Sequence, residues 1–195
     1  MNESTEGARR AGVVDGAAVG RAFLDDVRER FASVKKSVER AAAQVDDGHY
    51  FEPLEADGNS IALLMKHMSG NLESRFTDFL TSDGEKPTRD RDAEFVLEPT
   101  DTRDTIAARW ERGWSALSHA LDALGADDLL KVVQIRGEPH TVVQALLRQV
   151  SHQSQHAGQV IILARHWAGG KWETLSIPRG KSKEYGAEMQ RQAAR

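Results

Sequence analysis

Apolar residues recur at three- and four-residue spacing along most of this 195-residue chain, and almost nothing alternates with period two beyond short pieces such as Lys131 to Ile135. A chain patterned in this way must form helices that each bury one stripe, so the expected fold class is all-α. The first long helix is expected from about Val19 to Val45, with Phe23, Val27, Phe31, Val34, Val38 and Ala41 as its stripe and Asp46-Asp47-Gly48 as its end. The second opens at the capping residues Asn59-Ser60 and carries Ile61, Leu64, Met65, Met68, Leu72, Phe76 and Phe79 until Ser82-Asp83-Gly84 stops it. A third begins near Thr102, presents Ile106, Trp110, Leu117, Leu121 and Leu124, and ends at Gly125. The fourth is expected to start at Pro139, a favoured first-turn residue, and to run to Gly169-Gly170. Four long helices with mostly short connections suggest a four-helix bundle.

One connection is not short. Residues 81–101, TSDGEKPTRDRDAEFVLEPTD, form a polar, Pro-punctuated loop between the second and third helices, expected to be a lid or to be packed for a reason. No composition break separates two cores, so a single domain is expected over 18–183, after a flexible N-terminus at 1–17. The C-terminal tail is basic and poor in large apolar residues after Ile177, so 184–195 is expected to be disordered.

The absence of cysteine excludes disulfides, thiolate ligands, iron–sulfur clusters and a cysteine nucleophile, so any metal site must be built from His, Asp or Glu. With 26 Lys+Arg against 30 Asp+Glu, the formal net charge of −4 argues against a nucleic-acid-binding surface over the whole chain. No stretch approaches the roughly 18 apolar residues of a membrane span. The opening residues lack a signal peptide's apolar region, and a cytoplasmic location is expected.

The residues that carry chemistry are histidines. His152 and His156 stand four apart on the fourth helix, which places their Cβ atoms about 5–6 Å apart on one face. Two imidazoles so placed can share one ion at about 2.0–2.1 Å from each nitrogen. With 7 histidines in 195 positions, chance alone supplies about 0.25 such pairs, so spacing by itself is weak and a third ligand is needed. His67, near the middle of the second helix, is the natural third, its alternative being a core-edge histidine bonded to a carbonyl. His49, His119, His140 and His166 fall at a helix end or on other faces. Asn71, Gln149 and Gln159 stand one turn from these histidines and are candidates to accept their outer N–H groups or to touch substrate. Arg179 and Lys181 are candidate anion contacts, against the plainer reading of a solvated basic tail. Gly180-Lys181-Ser182 resembles the end of a phosphate-binding loop, but Leu175 stands where its earlier glycine belongs. No His-Glu-x-x-His pattern or Ser-His-Asp order occurs.

A histidine in the second helix followed by His-x-x-x-His in the fourth resembles the DinB-like (YfiT-like) superfamily of metalloenzymes. Four blocks are similar to an uncharacterised branch of it: Lys66-His67-Met68-Ser69-Gly70-Asn71, Thr77 to Pro87, Arg136 to Thr141, and Leu175 to Ser182. The resemblance covers most of the chain. It implies an up-down-down-up four-helix bundle, frequent homodimers, and a divalent metal, Zn²⁺ or Ni²⁺ foremost, held by His67, His152 and His156. Some relatives are S-transferases or isomerases that use low-molecular-weight thiols, so a thiol or another small molecule is the implied partner. Whether the chain transfers a group, hydrolyses, or holds its cluster as a non-catalytic binding or interaction protein stays open, and no catalytic residue is assigned.

Overall fold

The computed structural model describes residues 15–193. Most of them are helical, and the four long helices are α1 (Gly16–Ala42), α3 (Ile61–Phe76), α4 (Arg103–Ala123) and α5 (Val142–Ala168), with the one-turn α2 (Asp47–Tyr50) between the first two. Side chains from all four long helices join one buried cluster that includes Leu24, Phe31, Leu64, Met68, Trp110, Leu117, Leu146 and Val160. Among the described residues no helix is long and apolar enough to cross a membrane. The expected flexible N-terminus lies, up to residue 14, outside the described residues.

Each of the four long helices starts where a side chain can take an orphan N–H. Asp15 accepts from Ala17, Ser60 from Leu63, Thr102 from Thr105 and Thr141 from Gln144. Asp46, expected to close the first helix, instead caps α2. α3 differs from the others in being buried on nearly every side, as expected of a helix enclosed by its neighbours. It packs on α4 so closely that a Cβ on Gly113 would lie 2.5 Å from the backbone oxygen of Ser69. α3 also ends earlier than the periodicity suggests: Thr77 is extended and Asp78 has φ +49°, yet Phe79 still turns back into the core.

The start of the fourth helix is a correction. Pro139 does not open it; the residues before α5 form a hairpin of β1 (Val132–Ile135) and β2 (Glu138–Thr141), with Ile135 opposite Glu138 and Val132 opposite Thr141. The two-residue turn is Arg136-Gly137 with φ +57° and +74°, the positive pair that matches the twist of a tight hairpin. In a two-stranded ribbon Pro139, opposite Gln134, loses no ladder bond if its nitrogen faces outward. Val133 and Ile135 point into the core, so the short alternation at Lys131 to Ile135 is a genuine strand.

After α5 the chain crosses the end of α1, where Arg40 donates to Leu175 O at 3.0 Å and Gln44 to Glu173 O at 3.1 Å. The stretch expected to be disordered from residue 184 instead contains α6 (Ser182–Ala193), which buries no residue. Its helix formers and the Lys181–Glu184 and Glu188–Arg191 pairs at i,i+3 account for a helix without a packed face.

Candidate metal centre

α3 and α5 bring His67, His152 and His156 together: one ring nitrogen from each lies within 4.8 Å of the other two. His67 is buried and the other two half-buried. The ring centroids of His152 and His156 are 4.6 Å apart, as one helical turn dictates, and His67 approaches them at 5.2 and 4.9 Å. His67 Nε2 lies 3.2 Å from His152 Nε2, so the imidazoles converge by their far edges.

Two of the three near edges are held by acceptors. His67 Nδ1–H donates to Glu94 Oε2 at 2.8 Å and His156 Nδ1–H to Gln159 Oε1 at 2.7 Å, which leaves the Nε2 edge of each ring as the one not taken up by these bonds. His152 Nδ1 is buried without a partner. Burial, reinforced by His156 and His67, pushes the His152 imidazole down to about 3, and burial also lowers His156 despite its bond to Gln159. Both are therefore neutral near pH 7, the form in which imidazole is a ligand.

Glu94 comes from the long loop. Residues 81–101 are not a free lid; they are bound down over α3. Asp83 accepts the N–H groups of Arg136 and Gly137 at 2.8 and 2.7 Å, and Gly84 N–H donates to Gln134 O at 2.8 Å. Lys66 Nζ, beneath the loop, reaches Val96 O at 2.8 Å and Asp101 Oδ2 at 2.7 Å. Between these anchors a one-turn 3₁₀ segment, Ala93–Phe95, sets the Glu94 carboxylate against His67 and the Phe95 ring 4.5 Å from the imidazole centroid. Arg89 grips the same carboxylate by two bonds, at 2.7 and 2.8 Å. Burial pushes Glu94 up, but the bonds from Arg89 and His67 outweigh it and hold the carboxyl below its ordinary range. Gly70, one turn after His67, gives Glu94 its path, since a Cβ there would collide with the carboxylate.

Of the three expected partners, Gln159 serves as one. Asn71 and Gln149 are buried and bond each other, Gln149 Nε2–H donating to Asn71 Oδ1 at 2.6 Å. Arg179 and Lys181 are exposed, Lys181 pairs with Glu184 at 2.9 Å, and neither lines the cavity beside the histidines. His119 and His166 are exposed, and His49 stacks on Trp167 while bonding Asp46. Glu94 and Arg89 were not found from the sequence, because pattern reading finds partners within a helix and these reach α3 from a loop. The one available signal was the charge density of residues 85–94.

A family model described as "Protein of unknown function (DUF1572)" matches residues 18–181. No curated protein matches the chain.

Proposed function

The chain belongs to the DUF1572 family, a family of unknown function, and within it we propose that His67, His152 and His156 form a divalent-metal centre that activates a thiol or water. The observation that carries this is the convergence of three imidazoles of which two are anchored through Nδ1 by protein acceptors. That arrangement fits a three-histidine site with open positions, whose metal-ligating histidines donate their other N–H to a carboxylate or amide. It fits a structural role less well, because structural sites usually close with a fourth protein ligand. Zn²⁺ or Ni²⁺ held there would supply Lewis-acid polarisation and a lowered pKa to a coordinated thiol or water.

The chain's own residues do the rest. Glu94 fixes the tautomer and orientation of His67, with its charge kept by Arg89. Gln159 orients His156 in the same way without charge. Phe95 covers the His67 ring and limits water on that side. The four long helices, read as the up-down-down-up bundle of the DinB-like superfamily, would place this centre between the second and fourth of them, and a thiol-dependent S-transfer is the reaction that resemblance favours.

The test is elemental analysis of tag-free protein purified without added metal or chelator. About one divalent ion per chain is expected in the wild type, and almost none in His152→Ala or His156→Ala, with helicity checked by circular dichroism. Wild-type protein that holds no metal and takes up neither Zn²⁺ nor Ni²⁺ on titration would overturn the proposal.

A further inference from the structure

Beside the histidines a cavity of about 190 Å³ is lined by His67, His152, Asn71 and Gln149 together with five arginines, Arg75, Arg89, Arg91, Arg136 and Arg148. The arginines arrive from four separate parts of the fold. Arg75 follows His67 and Asn71 at four-residue steps on one face of α3, and Arg148 stands one turn before His152 on α5. Arg89 and Arg91 come from the loop, and Arg136 from the hairpin turn, where its backbone is held at φ +57°.

Local neutralisation accounts for only part of this charge. Glu85 contacts Arg75 at 2.9 Å, Arg89 at 3.3 Å and Arg136 at 2.9 Å, and Glu94 contacts Arg89 at 2.7 Å. Asp92 meets Arg91 at 3.7 Å with its carboxylate almost wholly in solvent, where such a pair contributes little. Arg148 is exposed, and its side chain has neither a hydrogen bond nor an ion pair among the described residues. Two enclosed carboxylates therefore face five guanidiniums, before any metal charge is added on the same wall. In a chain of net charge −4 this concentration of one sign is local.

We infer that this cavity binds a compact anionic group, a carboxylate or a phosphate, on the substrate whose reacting atom is presented to the histidine cluster. The inference rests on the proposed metal centre for what reacts, and on the arginines alone for the charge. A cavity of this size holds the anionic end of a molecule rather than the whole of a large one. Arg75, Arg89 and Arg136 are committed to Glu85 and Glu94, so Arg91 and Arg148 on the rim are the donors left to grip the anion, in the forked geometry guanidinium offers to carboxylate and phosphate.

The experiment uses Co²⁺-loaded full-length protein, whose visible spectrum reports both metal and bound sulfur, titrated with 3-mercaptopropionate and with neutral 2-mercaptoethanol. In parallel, inorganic phosphate is titrated into metal-free protein by NMR. The carboxylated thiol is expected to bind about tenfold more tightly than the neutral one, with a preference that weakens as salt is raised. Arg148→Gln and Arg91→Gln should bring the ratio near unity with the cobalt spectrum retained. Equal affinities in wild-type protein that holds Co²⁺ would overturn the anion site and leave the metal centre standing. If no Co²⁺ is taken up, the phosphate arm decides, and the metal reading falls only where Zn²⁺ and Ni²⁺ are refused as well: saturable binding that Arg148→Gln weakens sustains the anion site, and its absence overturns it. Competition of phosphate against 3-mercaptopropionate separates the two kinds of anion.

Discussion

Glu94 shows how far the setting of one histidine can depend on a residue that reaches it from a loop. Its carboxylate takes the His67 Nδ1–H at 2.8 Å and is itself held by Arg89, so the imidazole is oriented by a charge that cannot easily turn away. Glu94→Gln keeps the shape but removes that charge, and Zn²⁺ affinity, read by chelator competition, is expected to fall about 10–100-fold with the fold intact. An unchanged affinity would show that His67 needs no charged acceptor. At this scale the sequence was legible where partners share a helix: Gln159 stands one turn from His156 and bonds it. It was not legible for Glu94, 27 positions from His67, because the distance is closed by a loop.

Among elements, the contact between α3 and α4 is set by the absence of side chains. Gly113 lies against the Ser69 backbone, so Gly113→Ala must push two helices apart, and overpacking of this kind costs about 1–3 kcal/mol despite alanine's better helix propensity. Gly158, exposed on α5 with nothing near its missing Cβ, gives the opposite sign: Gly158→Ala should stabilise by about 0.5–1 kcal/mol. Urea denaturation of both variants beside the wild type checks the pair; equal and positive shifts would show that the α3–α4 approach is not tight. The helical stripes were readable because a 3.6-residue period needs only local sequence. The hairpin was missed because Glu138-Pro139 reads as a helix start, and only pairing with Val132–Ile135 reveals it as a strand.

At the scale of the whole molecule, the loop is fastened through ion pairs that acid should release. Lys66 and Asp101 form a buried pair at 2.7 Å, with side chains 4% and 1% exposed. Burial raises the Asp101 carboxyl, but the bonds from Lys66 and the Glu98 N–H, with the charges of Lys66 and Arg109, hold it below its ordinary value. A carboxyl depressed in the folded state contributes stability that is complete above its unfolded pKa, about 4, and lost as pH falls through that value toward the folded one. Asp101→Asn strands Lys66 and should cost about 3 kcal/mol at pH 7, a gap that narrows below pH 4 in guanidinium unfolding curves. A gap that stays constant down to pH 3 would show that the pair does not fasten the loop.

Residue type and short-range spacing were enough for the helical character, the caps at Ser60 and Thr102, the exclusion of cysteine chemistry and the three histidines, while the caps at Asp15, Asp46 and Thr141 were not read from them. The tertiary structure decided what surrounds the histidines. It bound residues 81–101 over α3, placed Glu94 on His67, and gathered arginines from two helices, a loop and a hairpin turn beside the cluster. Those contacts join residues tens of positions apart, and helical periodicity carries no information about which distant segments will meet.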